Sequence, residues 1–116
     1  MMAARVDGVV RDLLAILDML VQAEDWLVKA QVAYDRAREA LADAEAALLG
    51  RGEAQIDGKN AEIRAAQMRE ATAAGRRAVR EASEELVLAR SQVEVRRQEL
   101  STHRAIARLL AGEEVE

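Results

Sequence analysis

Large apolar residues recur along the first half of the chain at an interval of seven. Val6, Leu13, Leu20, Leu27, Tyr34, Leu41 and Leu48 form one line. Val9, Ile16, Ala23, Ala30, Ala37 and Ala44 follow its first six members after three residues each. A sustained 3–4 alternation draws a single stripe along an α-helix and predicts a coiled-coil helix over about residues 6–49. Because a straight helix drifts off a strict seven-residue repeat, the pattern implies a left-handed supercoil. Nothing in this arm breaks it: the chain has no Pro, and Gly8 lies near the start. At about 1.5 Å per residue such a helix is about 65 Å long.

The pattern stops at Gly50-Arg51-Gly52-Glu53-Ala54-Gln55-Ile56-Asp57-Gly58, which predicts a loop over about 50–59. Gly50 suits the left-handed residue that ends a helix, and Ile56 is expected to tuck the loop onto the apolar seam. Asp57 or Asn60 can cap the next helix. Asn60 is favoured, because Ala61-Glu62-Ile63 then forms a first turn with its acid at the positive end of the dipole. The second helix is expected over about 60–111. Val79, Leu86, Val93, Leu100 and Ala107 make one line, with Ala82, Ala89, Arg96, His103 and Leu110 as its companion. Gly75 interrupts the stretch at a cost of about 1 kcal/mol relative to Ala. The acidic end, 112–116, is expected to fray.

A short loop between two long helices makes them antiparallel neighbours. The expected fold is therefore all-α: one domain, residues 1–116, folded as a long antiparallel two-helix coiled-coil hairpin. With the loop centred near residue 55, Leu27 should face the region of Leu86, and Leu13 that of Leu100. Tyr34 then falls near Gly75, a large side chain opposite a residue with none; a local bend at Gly75 is the alternative.

The two halves of this hairpin differ. Alanine at each companion position from Ala23 to Ala44 lets two backbones approach closely, so the distal half should be thin and self-sufficient. Near the open end the apolar stripe is too wide for one partner helix. Val10, Leu14, Leu17, Val21 and Val28 add to the seam on the first arm, and Val87, Leu88, Val95, Ile106 and Leu109 on the second. A surplus of this kind marks an interface. Leu14, Leu17, Val21, Leu88, Val95, Ile106 and Leu109 are the expected oligomer contacts, and a homodimer closing a four-helix bundle is the simplest form.

Composition narrows the function. Ala, Arg, Glu and Leu dominate, a third of the residues are charged, and Trp26 and Tyr34 are the only aromatics, as in long helices and coiled coils. The net charge of −4 is unevenly placed: residues 1–49 carry five basic and nine acidic side chains, residues 59–112 eleven basic and seven acidic. Two such arms attract each other. The absence of Cys excludes disulfides, thiolate catalysis and Cys-based zinc sites. The apolar runs fall short of the about 18 residues of a membrane span, and the N-terminal stretch lacks the features of a signal peptide. A cytoplasmic protein without a membrane partner is expected.

No Ser, His or metal-ligand constellation accompanies the acids Asp25, Glu84 and Glu85, so neither catalysis, a metal nor a cofactor is expected. His103, the single histidine, reads as a polar seam residue that specifies register. Trp26 reads as packing at the seam edge. Arg69, Arg76, Arg77 and Arg80 form a basic cluster, a solvated face or a set of phosphate contacts. At the tip, Gly58, Lys59, Asn60 and Arg64 surround a helix N-terminus and are the candidate partner contact. The flanking glycines and Ser/Thr of a nucleotide loop are missing there.

The run IDGKNAEIRAAQMRE, followed by an Ala/Arg/Glu/Leu coil that ends in HRAIARLLAG, resembles small coiled-coil proteins of tailed bacteriophages. The resemblance rests on the GKNAEIR run at the start of the second helix and covers about fifteen residues; the rest matches in pattern alone. It implies a phage protein working in the cytoplasm of a bacterial host, beside recombination or replication functions, and carries no activity. Two classes of function follow. One is a homo-oligomeric adaptor or inhibitor that meets a protein partner. The other is a nucleic-acid accessory protein that uses the arginines of the second helix.

Overall fold

A computed structural model describes residues 2–51 and 61–115, and all the elements among them are α-helices. Helix α1 spans Met2–Arg51, α2 Ala61–Ala71 and α3 Ala73–Val115. The residue choice explains the unbroken length of α1. Its Ala, Leu, Glu and Arg are the strongest helix formers, and side-chain bonds one turn apart support it. Gln22 Nε2 donates to Asp18 Oδ2 at 2.9 Å, and Gln31 Nε2 to Asp35 Oδ1 at 3.1 Å.

The helix limits differ from the expected ones. Helix α1 starts before Val6 and runs through Gly50 to Arg51. A Cβ at Gly50 would meet nothing within 4 Å; the glycine costs propensity alone, which is too little to stop a helix of this length. At the other end α3 continues through Gly112 to Val115. The backbone expected to fray from residue 112 is helical as far as it is described.

The second arm is two helices, and the break is at Thr72 rather than Gly75. The i to i−4 bonding survives there: Thr72 N–H donates to the Met68 carbonyl and Arg76 N–H to the Thr72 carbonyl, each at 3.0 Å. The Thr72 hydroxyl also donates to the Met68 carbonyl, at 2.9 Å. This back-bonding competes with the regular ladder and disturbs helices. Arg76 stitches the step together. Its Nε donates to Thr72 Oγ1 at 3.4 Å, and its terminal nitrogen donates to the Arg69 carbonyl. Thr72 is itself buried, so its hydroxyl needs these partners.

The described residues divide into two units. One joins α1 up to Val28 with α3 from Val87, and the other comprises Lys29 to Leu86. In the first, Ile16, Ala23, Ala89, Val93 and Leu100 are buried; in the second, Ala30, Leu86 and Thr72 are. The buried apolar residues all belong to the heptad lines read from the sequence. Most other members of those lines are half-buried, while Val6 and Ala44, at the ends, are exposed. No large side chain among the described residues is wholly hidden. Two helices cover one side of each other and leave the rest of each cylinder in solvent.

The register across the seam is later than expected. Gly75 faces Leu41: a Cβ there would lie 3.1 Å from Leu41 Cδ1 and 3.8 Å from Leu41 Cα. Tyr34, one heptad earlier, is not the neighbour; its ring instead lies under the Arg38 guanidinium, 5.6 Å from the centroid. The rule of a large residue against a missing side chain holds, with a different large residue. In the first unit Leu27 lines a groove with Arg90 and Val93.

Candidate interaction faces

The unit that holds both chain ends carries most of the uncovered apolar surface. Val6, Val10, Leu14, Leu17, Met19, Val21, Val28, Val87, Leu88, Val95, Ile106 and Leu109 are exposed there, against Val32, Leu49 and Ile63 in the other unit. Exposed aliphatics are thus concentrated in the unit where the sequence places its apolar surplus.

Helical phase sorts these residues. Each step along an α-helix turns about 100°, so residues one position after a seam residue lie on one flank of the seam, and residues one before it on the other. Two contacts show how the flanks of α1 and α3 meet. Glu24, one after Ala23, approaches Arg97, one after Arg96, at 4.0 Å. Met19, Gln22 and Trp26, each one before a seam residue, line a groove with Gln92, one before Val93. The unit therefore has two distinct faces on opposite sides of its helix pair.

On one face stand Asp7, Val10, Leu14, Leu17, Val21, Glu24 and Val28 of α1. Opposite them on α3 are Val87, Arg90, Glu94, Arg97, Ser101, Arg104 and Arg108. The groove between contains Leu27, Arg90, Val93, Glu94, Arg97 and Ser101, with a volume of about 460 Å³. On the other face Arg5, Gly8, Asp12, Ala15, Met19, Gln22 and Trp26 of α1 run alongside Leu88, Gln92, Val95, Glu99, Thr102, Ile106 and Leu109 of α3. The seven residues expected to form one interface thus divide: Leu14, Leu17 and Val21 lie on the first face, and Leu88, Val95, Ile106 and Leu109 on the second.

The polar seam residues are satisfied within α3. Arg96 NH1 donates to both carboxylate oxygens of Glu99, at 2.9 and 3.1 Å. His103 Nδ1 sits 2.9 Å from the Glu99 carbonyl, which can only accept, so Nδ1 carries the proton. Both side chains are half-buried. His103 spends this contact on its own helix rather than on α1. Trp26 is half-buried beside Met19, Ala23, Gln92 and Arg96, in the seam-edge position anticipated for it.

Among the tip residues, Gly58, Lys59 and Asn60 lie outside the described residues, as do Ile56 and Asp57; Arg64, on α2, is exposed. Arg69, Arg77 and Arg80 are exposed as well, while Arg76 is engaged with Thr72 and the Arg69 carbonyl. The row Arg90, Arg97, Arg104 and Arg108 escaped the sequence reading, which stopped at Arg80. The signal was present: the first three follow the companion-line residues Ala89, Arg96 and His103 by one position each.

No group of three metal-ligating side chains occurs among the described residues, and no helix there is long and apolar enough to cross a membrane. No family model matches the chain, and no curated protein or solved structure is similar to it.

Proposed function

We propose that this chain is a non-enzymatic, homo-oligomeric coiled-coil interaction protein: a long helical hairpin that dimerises as a four-helix bundle through the Leu88 face. The observation that carries the reading is the chemistry of that face. Its charges are few, Arg5 and Asp12 on α1 and Glu99 on α3 within this unit, and Leu88, Val95 and Leu109 are exposed to 56%, 41% and 71%. Glu99, the one acid on its α3 side, is already held by Arg96. Two such faces meeting about a two-fold axis bury aliphatics and Trp26 against few charges.

The GKNAEIR run supports placing the protein in the cytoplasm of a phage-infected bacterium, as an adaptor or inhibitor of a host or phage protein. The tip residues Gly58, Lys59, Asn60 and Arg64 are a candidate contact for that partner. The nucleic-acid reading is weaker. The arginines nearest the adhesive half stand beside exposed aliphatics, and a phosphate backbone would neutralise the first while leaving the second in water.

Because the chain has no cysteine, single cysteines test the dimer without background. Under mild oxidation, a scan of single replacements along Leu88, Gln92, Val95 and Thr102 should yield at least one efficient disulfide-linked dimer. The same scan along Leu14, Leu17 and Val21 should yield none. Cross-linking confined to the Leu14 line would overturn the assignment.

A further inference from the structure

The remaining face joins two features that are rarely useful together. Its α1 side is largely aliphatic, with Leu14, Val21 and Val28 exposed to 63%, 64% and 62%, beside the acids Asp7 and Glu24. Its α3 side is cationic. Arg90, Arg97 and Arg104 recur every seven residues, Arg108 follows one turn later, and Glu94 is the one acid in the row. Seven residues are two turns, about 10.5 Å along the axis. Between the two sides lies the groove lined by Leu27, Val93, Arg97 and Ser101.

We propose that this groove takes an acidic amphipathic α-helix of another protein as the third strand of a coiled coil. The apolar stripe of that helix packs on Leu14, Leu17, Val21 and Val28. Carboxylates at every seventh position of the same helix come into step with Arg90, Arg97 and Arg104. Helix-in-groove recognition of this kind reads its ligand through anchors at i, i+3, i+4 and i+7.

Three observations select this occupant. A second copy packed α3 against α3 on this face would set one arginine row against another, and like charges across an interface cost binding. Nor does a lipid surface fit: Trp26, the residue type that settles at the headgroup level, points to the opposite face. Finally, Arg97 is lightly held. The Glu24–Arg97 pair is 4.0 Å apart, with side chains 49% and 66% exposed, so an incoming carboxylate displaces a contact of little worth.

The inference rests on the reading that self-association uses the Leu88 face, so oligomer mass is measured on every sample. The probe is a fluorescein-labelled four-heptad peptide with Leu at the a and d positions and Glu at e and g. Its counterpart carries Lys at e and g. Fluorescence anisotropy with the full-length oligomer should show the Glu peptide binding at least about tenfold more tightly than the Lys peptide, and more weakly as salt rises.

Arg97→Glu/Arg104→Glu should weaken the Glu peptide by at least about tenfold and bring the Lys peptide into binding. A protein that had merely lost its fold could not gain a ligand. Leu14→Asp/Val21→Asp should abolish binding of both peptides with oligomer mass unchanged. Equal binding of the two peptides, or binding of neither, overturns the proposal. So does binding of phosphatidylserine vesicles in place of the Glu peptide, which would make this a membrane face. A fall in oligomer mass on Leu14→Asp/Val21→Asp would show a second copy in the groove and sink both readings. A wild-type monomer that still prefers the Glu peptide would remove the dimer reading alone.

Discussion

Replacing Gly75 by Ala tests the seam register in one step. The substitution gains about 1 kcal/mol of helix propensity in an interior position. Against this stands Leu41, whose Cδ1 lies 3.1 Å from the ideal Cβ position, while its Cβ and Cα are 3.7 and 3.8 Å away. The backbone approach is ordinary, so only the end of the leucine must shift. Leu41 is half-buried, which leaves it room to move by a few tenths of an ångström. An off-rotamer leucine costs about 0.5–1.5 kcal/mol, so the two effects nearly cancel and Gly75→Ala should change stability by less than about 0.5 kcal/mol. In a Leu41→Ala background the obstacle is gone, and the same change should stabilise by the full ~1 kcal/mol. The coupling is therefore about 0.5–1.5 kcal/mol, within the range for touching residues. Urea melts of the four proteins at one fixed chain concentration measure it, since an oligomer's apparent stability depends on concentration. Gly50→Ala, where the new methyl meets nothing within 4 Å, serves as the uncoupled control. A full gain from Gly75→Ala in both backgrounds, or a gain that depends on Tyr34 rather than Leu41, would refute the register.

Two further substitutions probe the packing. Val93→Ala removes two methyls from one of the best-covered seam positions and should cost about 1.5–2.5 kcal/mol in urea melts; a cost below about 0.5 kcal/mol would mean that the seam is not closed there. At the α2–α3 step, Thr72→Val keeps the buried shape and loses only the hydroxyl that bonds Met68 and Arg76. It should be less damaging than Thr72→Ala by about 1 kcal/mol, and equal losses from the two would show that the hydroxyl, not the packing, matters.

The seam was readable because its information is local and periodic. Leu13, Ile16, Leu20 and Ala23 repeat a pattern that only one helical phase can satisfy. Register was less readable, because it depends on where the turn falls. Gly50 advertised a helix end that neighbouring strong helix formers overrode. The step at Thr72 was missed for a related reason: a threonine within a helix is unremarkable until its hydroxyl turns back onto the Met68 carbonyl, and the nearby Gly75 drew attention as the weaker link. The surplus residues Leu14, Leu17, Leu88 and Val95 were identified in type, yet taken as one surface. Only after Glu24 is seen with Arg97, and Trp26 with Gln92, does the phase of each line place it on its own side. That same phase reveals the Arg90–Arg97–Arg104 row, which a reading of charge clusters along the chain passes over because its members are dispersed.

In the proposed assembly two chains join through the Leu88 face. Sedimentation equilibrium across the micromolar range, on the wild type and on Leu88→Asp/Val95→Asp, addresses it without labels or partners. The wild type should sediment with the mass of two chains, twice 12.7 kDa, and the double variant, with two unpaired charges on the contact, as a helical monomer. A wild type that stays at the mass of one chain, or a double variant that keeps the wild-type mass, would contradict it.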